Sequence, residues 1–370
     1  MKKCLMVICS KAQLLQGFHI RQSMLKDYYV DIVLFGGVQF DKLYAKRLQK
    51  FCNHAWFVEN NYCTQKEYIK YYLSPRKALK NLINESFEPD YTDIFCWDPG
   101  WCFYWLVRNE RKSKIKYKWH LIQDGNGNYG TPSLKFEHQH DARNMIEVCN
   151  RFIECKVLRI FPKEYDDEYI WKPELRVVPY HHKIVEVPAI DINNKEEISY
   201  LNYIFNFDVN NNDILGYKYI FLDTLVQIFY EYTSQIIREL SEKLGGEKIV
   251  VFMHPRSDRD MYNDLLEYIE LKECKVPWEL FFINKLTRDK VILGTYTSAL
   301  SMGFACCGDT TDVYSFVRMF DLEKLESEGW QPRNCLPMYE KVASFDNHFH
   351  IVDSVDELLA ICSKGNKKDE

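Results

Sequence analysis

The sequence lacks a hydrophobic run long enough to span a bilayer, which takes about 18–20 consecutive apolar residues. Its amino-terminal apolar run extends only from Cys4 to Cys9, and no small-x-small cleavage site follows it. We therefore interpret this run as the first buried strand of the fold, and not as a signal peptide or a membrane anchor.

Cysteines at the spacing of a metal or redox site are also missing. The 13 cysteines are odd in number and scattered along the chain, and no Cys-x-x-Cys occurs. A disulfide framework or a zinc ribbon normally shows regularly spaced pairs. The pattern therefore predicts a reduced, cytoplasmic chain.

Basic residues are not in excess, because 48 Lys and Arg face 53 Asp and Glu, for a net charge of −5. A protein that binds nucleic acid over its whole surface is usually basic, so this balance disfavours that class. The sequence also has no GxSxG, HExxH or Walker A motif and no internal repeat. These absences disfavour an α/β-hydrolase, a zinc protease and a P-loop nucleotidase.

The chain has 370 residues, of which 46% are hydrophobic and 15% aromatic. This length favours two domains, and this composition allows a sizeable core with aromatic side chains left to line a cleft. Short apolar runs alternate with helical periodicity in both halves, which predicts two parallel α/β sheets. The predicted strands are 3–10, 31–35, 55–58, 92–97, 119–123, 219–222, 248–253, 290–294 and 312–316.

An Asn-rich polar stretch separates the two halves. We predict an amino-terminal Rossmann-like domain at residues 1–190, a linker at 191–216 and a carboxy-terminal Rossmann-like domain at 217–370. The predicted fold class is α/β, with two Rossmann-like domains that face a cleft.

One candidate site follows the strand at 119–123. Gly125, Gly127 and Gly130 formally match GxGxxG, but they lie far from the first strand, and Pro132 follows at once. We therefore reject a dinucleotide-binding loop. What remains is Asp124 at the carboxyl end of a strand, where open α/β sheets bind ligands, or an aspartate that only shapes the turn.

A second candidate is His254-Pro255-Arg256, at a switch from a buried strand to a predicted helix at 257–270. An imidazole, a guanidinium and free helix N–H groups at one point suit a phosphate. A structural histidine is the alternative.

A third and a fourth candidate also start helices. Thr297 and Ser298 begin a predicted helix at 298–306, where they bind an anion or where Thr297 serves only as an N-cap. Pro277 suits a first helical turn, and Glu279 behind it either complements the helix dipole or binds ribose hydroxyls.

For several other patterns we favour a structural role over a functional one. Asp258-Arg259-Asp260 matches a DxD metal signature, but acids are common at a helix start. The His-x-His pairs at 138–140 and 348–350 have no acid or cysteine at ligand spacing in the sequence. The basic run at 111–118 is interpreted as a solvated helix end, with a patch for anionic lipid as the alternative.

Taken in order, the motifs resemble those of bacterial sialyltransferases, and most closely glycosyltransferase family 52, the lipooligosaccharide sialyltransferases. Capsular polysialyltransferases share a looser form of the pattern. The matching pieces are Gln123-Asp124-Gly125, His254-Pro255-Arg256, Pro277-Trp278-Glu279 and Thr297-Ser298-Ala299-Leu300. Gln123 departs from the pattern, because the family has an acid there.

The resemblance implies a GT-B fold, which has two Rossmann-like domains with the active site in the cleft between them. It also implies a CMP-sialic acid donor and a terminal sugar as acceptor, expected to be a galactose of lipooligosaccharide or capsule. It implies no metal and no other cofactor. By the same resemblance, His254 contacts the donor phosphate and protonates departing CMP, Glu279 holds the ribose, and Thr297 and Ser298 hold phosphate. Gly125, Pro255, Arg256 and Pro277 complete the implied donor site.

The base that deprotonates the acceptor is open between two residues. Asp124 matches the Asp-Gly motif of related sialyltransferases, and Asp223 matches, in imperfect register, an aspartate assigned this role in family 52. Asp223 is alternatively a helix N-cap. We favour Asp124.

Three other functions stay open from the sequence. Family 52 also includes enzymes described as transferring glucose, so the donor sugar is not fixed. A non-catalytic protein that binds nucleotide sugars or glycans, and a dinucleotide oxidoreductase, are the other two. Peripheral contact with the inner face of the cytoplasmic membrane and a homodimer are compatible with the main hypothesis.

Overall fold

The computed structural model describes residues 1–36, 39–59, 74–97, 101–113, 115–125, 127–130, 165–179, 182–224, 230–245, 247, 249–254, 257–321, 323–324 and 335–365. The chain divides into two compact units. Unit 1 comprises Met1–Asp124, Thr131–Pro173 and Pro179–Pro188, and unit 2 comprises Gly125–Gly130, Glu174–Val178 and Ala189–Glu370.

Unit 1 is built on a seven-stranded sheet in which every described pair of neighbours is parallel. Its strands are β1 (Lys3–Ile8), β2 (Tyr29–Phe35), β3 (His54–Val58), β4 (Asp93–Cys96), β5 (Lys118–Ile122), β6 (Asp167–Trp171) and β7 (Lys183–Val187). Their order is β3-β2-β1-β4-β5-β6-β7, which is the order of a Rossmann sheet with one further strand. The direction of winding reverses between β1 and β4.

The described helices of unit 1 are α1 (Lys11–Ser23), α2 (Lys42–Leu48), α3 (Pro75–Leu82) and α4 (Trp101–Ser113). Local sequence explains where two of them begin. The Ser10 hydroxyl accepts a hydrogen bond from the Gln13 N–H, and the Asp41 carboxylate accepts from the N–H groups of Leu43 and Tyr44. Such N-caps satisfy the first amide groups of a helix, which have no partner within it.

Unit 2 is built on a six-stranded, all-parallel sheet. Its strands are β8 (Tyr219–Leu222), β9 (Ile249–Met253), β10 (Ile269–Glu273), β11 (Val291–Gly294), β12 (Val313–Ser315) and β13 (Phe349–Ile351). The order β10-β9-β8-β11-β12-β13 is again that of a Rossmann sheet, and the winding reverses between β8 and β11.

The described helices of unit 2 are α5 (Gly127–Gly130), α6 (Lys195–Phe205), α7 (Tyr230–Lys243), α8 (Glu279–Ile283), α9 (Ser298–Cys307), α10 (Cys335–Phe345) and α11 (Val355–Gly365). Short 3-10 helices lie at Pro173–Leu175, Arg259–Leu265 and Val317–Met319. Gly308 ends α9 in the left-handed conformation, with φ of 61°, as expected of a glycine after the last helical turn.

Each sheet forms the centre of its unit's core. Cys4 to Ile8 of β1 and Ile249 to Val251 of β9 are completely buried. Parallel strands covered by helices on both faces consist of nearly continuous apolar residues, and this explains why these strands are recognisable in the sequence. Helix α9 packs so closely on α8 that a Cβ on Gly303 would lie 2.8 Å from the Phe282 ring.

One predicted helix differs from the structure. The helix predicted at 257–270 is only the 3-10 helix Arg259–Leu265, followed by strand β10. The buried Ile269 and Leu271 alternate with charged residues, a pattern that is typical of a strand. Helix α6 lies within the predicted linker 191–216; it begins at the N-cap Asn194 and buries Leu201, Ile204 and Phe205.

No helix in the described ranges combines the length and the apolar character that crossing a membrane requires.

Candidate functional site

The carboxyl edge of the sheet in unit 2 brings three predicted segments together. Strands β9, β8 and β11 are adjacent and parallel, so the residues that follow them leave the sheet at the same edge. His254 follows β9, Asp223 follows β8, and Thr297 and Ser298 follow β11. Residues 277–279 follow β10, the neighbour of β9, and reach α8. Open α/β sheets bind ligands at this edge, next to the strands where the winding reverses.

Asp223 holds the turn after β9 in place. Its Oδ2 accepts hydrogen bonds from the His254 N–H (3.0 Å) and from the Ser257 hydroxyl (2.6 Å), and its residue is only 6% exposed. Tyr262 also bonds to this carboxylate, and burial together with the Asp223 charge raises the pKa of the Tyr262 phenol. Asp223 is therefore a buried acceptor for several donors, which is the geometry of a structural clamp.

His254 is half-buried at the end of β9, with its main chain fixed on both sides. Its N–H donates to Asp223, and its carbonyl accepts from the Ser257 N–H at 2.9 Å. The clamp therefore sets the position from which the imidazole projects. Pro255 and Arg256 lie outside the described residues, so their predicted donor contacts stay predictions.

Glu279 is the first residue of α8 and is 6% exposed. Pro277 lies one position before the N-cap Trp278, and its carbonyl accepts from the Leu280 N–H at 3.1 Å. The Glu279 charge contributes to the raised pKa of the Cys306 thiol on α9, although burial of that thiol is the main cause. The predicted contact of the Glu279 carboxylate with a ribose stays a prediction.

Thr297 occupies the N-cap position of α9, but its side chain makes no capping hydrogen bond. The Tyr339 hydroxyl binds its main chain instead, accepting from the Thr297 N–H at 3.0 Å and donating to the Thr297 carbonyl at 2.7 Å. Thr297 is therefore the N-cap residue by position, as the alternative interpretation expects, but its side chain does not cap the helix. Ser298 is half-buried beside it.

A pair of threonines links β8 and β11 where the winding reverses. The Thr224 hydroxyl donates to the Tyr296 carbonyl at 2.8 Å, so its 2.9 Å bond with Thr295 uses the Thr295 hydroxyl as donor. Thr295 is completely buried, and its own carbonyl accepts from Ser315. This network fixes the exit of β11 toward Thr297 and Ser298. Sequence analysis missed Thr224, although its position directly after Asp223 at a strand end was a usable signal.

Gly125, although it follows β5 in the chain, belongs to unit 2 and packs against the start of α9. Its φ is +68°, and a Cβ on it would lie 2.8 Å from the Ser298 Cβ and 2.9 Å from the Ser298 Oγ. Both the backbone conformation and the close approach require glycine. The structure therefore brings the Asp-Gly glycine and the hydroxyl-bearing helix start together.

Asp124 belongs to unit 1, at the carboxyl edge of its sheet. It is half-buried, and its Oδ1 accepts a hydrogen bond from the Ser10 hydroxyl at 2.8 Å. Ser10 follows β1, which is two strands from β5 in the sheet, and it also caps α1. Ser10 was not singled out in the sequence, because 114 residues separate it from Asp124.

Gln123 has a structural role that accounts for an amide at this position. It is 2% exposed, its N–H donates to the Gln16 Oε1 at 2.7 Å, and its own Oε1 accepts from the Trp171 N–H at 3.1 Å. The main chain of Gln123 is thus joined to α1 through the Gln16 side chain, and its own side-chain oxygen joins β6 to the end of β5. A buried carboxylic acid here would need compensation for its charge, whereas an amide needs none.

Of the other patterns, two have structural partners. The Asp258 carboxylate accepts from the Asp260 N–H and caps the 3-10 helix. The Asp312 Oδ1 lies 2.9 Å from the His348 Nδ1 and 3.6 Å from the His350 Nε2. The fold therefore brings to this His-x-His pair an acid that is distant in the sequence. Hydrogen bonds from His350 and His348 lower the pKa of Asp312. Within the described ranges no group of three or more acids, histidines or cysteines could hold a metal ion. Residues 138–140 lie outside those ranges.

The fold is similar to that of solved glycosyltransferase structures. The crystal structure of the glycotransferase of kitacinnamycin is 11% identical, with a TM-score of 0.51 over 96% of this chain and 88% of that chain. A sialyltransferase from Photobacterium damsela is 12% identical, with a TM-score of 0.49 over 95% of this chain and 81% of that one. A glycosyltransferase from Rickettsia africae is 12% identical, with a TM-score of 0.42 over 97% of both chains.

No protein-family model and no curated protein sequence matches the chain. At an identity of 11% the likeness concerns the fold. The predicted fold class is confirmed: α/β of the GT-B type, with two Rossmann-like units. The domain boundaries and the donor stay predictions, as does the location of the active site.

Proposed function

We propose that the protein is an inverting glycosyltransferase that moves sialic acid from CMP-sialic acid to a terminal sugar, expected to be galactose, of a bacterial surface glycan. The observation that carries the proposal is the assembly of His254, Thr297, Ser298 and Gly125 at the carboxyl edge of the unit 2 sheet. These four residues come from three separate sequence motifs, each of which matches the pattern of family 52. The glycosyltransferase fold supports the class of reaction, and the motif resemblance supports the donor.

In this proposal His254 serves the leaving group. When the bond between the anomeric carbon and the phosphate oxygen breaks, the phosphate of CMP gains negative charge. An imidazolium next to that oxygen stabilises the charge and delivers a proton, which is typically worth about 10²–10⁴-fold in rate. The hydroxyls of Thr297 and Ser298 and the amide groups at the start of α9 are donors that suit the same phosphate.

Asp124 is the better candidate for the base. The carboxylate of Asp223 is buried and accepts from the His254 main chain, Ser257 and Tyr262, so its acceptor capacity serves the fold. Asp124 is half-buried, and its Oδ1 accepts a hydrogen bond from the Ser10 hydroxyl. A half-buried carboxylate held in one orientation suits removal of a proton from the acceptor hydroxyl as that oxygen attacks the anomeric carbon.

A donor screen tests the proposal. Purified protein is incubated with CMP-sialic acid or with other nucleotide sugars, a lactose-type acceptor and EDTA, and nucleotide release is followed by chromatography. In the presence of EDTA, we expect acceptor-dependent release of CMP from CMP-sialic acid and no nucleotide release from the other nucleotide sugars. Release from a different nucleotide sugar would keep the reaction class and overturn the sialic acid donor. Binding of a nucleotide sugar without any release, in folded protein, would indicate a binding protein.

A further inference from the structure

The phenol of Tyr339 is hydrogen-bonded to the main chain of Thr297, a residue of the proposed donor site. Tyr339 is on α10, is completely buried, and forms two hydrogen bonds with Thr297, one as acceptor (3.0 Å) and one as donor (2.7 Å). A hydroxyl has one proton to donate and can accept at the same time, so this arrangement is chemically balanced.

Neighbouring aromatic rings hold the phenol in this position. The centroid of the Tyr339 ring lies 5.5 Å from that of the Tyr296 ring. It lies 5.0 Å from the centroid of the Phe349 ring on β13, in an edge-to-face arrangement. Met338 and Val342, on the same helix, are also buried. The ring therefore has little rotational freedom, and its hydroxyl is a fixed partner for Thr297.

The two bonds replace an ordinary N-cap. At most helix starts the side chain of the N-cap residue accepts a hydrogen bond from the first turn. The Thr297 side chain does not, and the main chain of Thr297 is fixed by Tyr339 while its carbonyl also accepts from the Leu300 N–H at 3.2 Å. The Thr297 hydroxyl is consequently not used for capping.

Helix α10 also contacts α5 (Gly127–Gly130), which follows the glycine that packs on Ser298. One helix therefore contacts both the main chain of Thr297 and the helix that follows Gly125. A displacement of α10 or of its phenol would move Thr297 relative to Gly125.

We propose that Tyr339 is a positioning residue for the donor. Its phenol fixes the main chain at Thr297, so that the Thr297 and Ser298 hydroxyls stand where they bind the donor phosphate. This inference rests on the proposed function, because it assigns to Tyr339 the precision of a phosphate site that the proposal places at Thr297 and Ser298. It differs from the proposed function in predicting a ligand effect for a residue that does not touch the ligand.

The test is Tyr339→Phe, which removes one oxygen and keeps the ring. The matched control is Tyr314→Phe, because Tyr314 on β12 is another buried tyrosine of unit 2 and its hydroxyl bonds to Cys362 on α11. Affinity for CMP is measured by calorimetry, together with the donor KM, kcat and thermal unfolding. Loss of two neutral hydrogen bonds predicts a rise in the CMP Kd and the donor KM of about tenfold, equivalent to about 1.4 kcal/mol, in Tyr339→Phe only.

A double-mutant cycle makes the test specific. If Tyr339 acts through Thr297, the loss of CMP affinity caused by Tyr339→Phe must be much smaller in a Thr297→Val background. Two variants with equal losses of unfolding temperature and with CMP affinity like the wild type would show that Tyr339 is only structural and would overturn the inference. Wild-type protein that binds neither CMP nor any other nucleotide would overturn the proposed function itself, and the inference with it.

Discussion

Gly125 and Ser298 are in such close contact that a methyl group on Gly125 would lie 2.8 Å from the Ser298 Cβ. The two residues are far apart in the sequence and belong to different motifs. Gly125 has a left-handed backbone, with φ of +68°, and lies in unit 2 together with the start of α9. The contact fixes the distance between Gly125 and the start of α9.

Gly125→Ala is therefore expected to damage both stability and donor binding. An alanine in this conformation costs about 1 kcal/mol or more, and the overlap with Ser298 adds to it. Gly216→Ala is the matched control, because Gly216 has φ of +84° and nothing within 4 Å of the added Cβ. We expect both variants to unfold at lower temperature, and only Gly125→Ala to raise the donor KM. Equal donor KM values in the two variants would show that the contact between Gly125 and Ser298 has no role in donor binding.

Ser10→Ala tests whether Ser10 orients Asp124. Loss of the hydroxyl removes the 2.8 Å bond to the carboxylate and also the cap of α1, which costs about 1 kcal/mol of stability. Asp41→Ala removes the cap of α2 and serves as a control of similar cost. We expect kcat to fall severalfold in Ser10→Ala with little change in donor KM, and to stay near wild type in Asp41→Ala. A fall in kcat of the same size in both variants would contradict the orienting role.

Asp223→Ala is predicted to act first on folding. The carboxylate accepts from the His254 N–H and the Ser257 hydroxyl in a buried position, and its removal leaves these donors unsatisfied. A loss of about 2–4 kcal/mol in the free energy of unfolding is expected. Denaturant titration followed by fluorescence measures it. A variant with wild-type stability and no transfer activity would instead assign the base to Asp223.

His120 gives a prediction for unit 1 that involves pH. It is buried between Asp93 at 3.0 Å and Asp167 at 3.1 Å. Although burial alone would raise the pKa of Asp93, hydrogen bonds from His120 and Thr92 hold that pKa below its usual value. A lowered folded-state pKa means that this stabilisation is fully present above pH of about 4 and is lost as the pH falls further.

His120→Phe should therefore lower the free energy of unfolding at pH 7 by about 3–5 kcal/mol, because it leaves the buried carboxylate of Asp93 without its imidazole partner. The difference from wild type should narrow as the pH falls below about 4, because Asp93 takes up its proton in wild type only as the pH passes through its lowered pKa. Unfolding measured in urea between pH 3 and pH 7, a range set by these carboxylate pKa values, checks both statements. A difference that is constant over this range would show that His120 contributes by packing alone.

The sequence predicts the most apolar of the parallel strands, whereas β6, β7, β10 and β13 are not among the predicted strands. The predicted strand 219–222 is β8 as observed, because a short run of aromatic and aliphatic residues between polar ones favours a buried strand. Strand β10 was missed because its charged residues alternate with Ile269 and Leu271, and β7 was missed because it is a partly exposed edge strand of mixed composition. Helix α6 was hidden by the Asn-rich residues around it, although Asn194 is a good N-cap.

The candidate site was predictable only where a motif marks a strand end. His254, Asp223 and Thr297 were found in this way, since strand ends of a parallel sheet share one edge. Ser10 and Tyr339 were not, because each acts on a residue distant in the chain, and no local pattern encodes such a hydrogen bond. The choice between Asp124 and Asp223 likewise needed the hydrogen-bond partners of each carboxylate.

The most direct test of the account is acceptor-dependent CMP release measured side by side for wild type, His254→Ala and Asp124→Asn, each shown to be folded. The account predicts that both variants still bind CMP but lose transfer by about 10²–10⁴-fold, as expected for removal of a general acid or base. Transfer close to the wild-type rate in His254→Ala, with CMP still bound, would contradict the assignment of the leaving-group site to the carboxyl edge of unit 2.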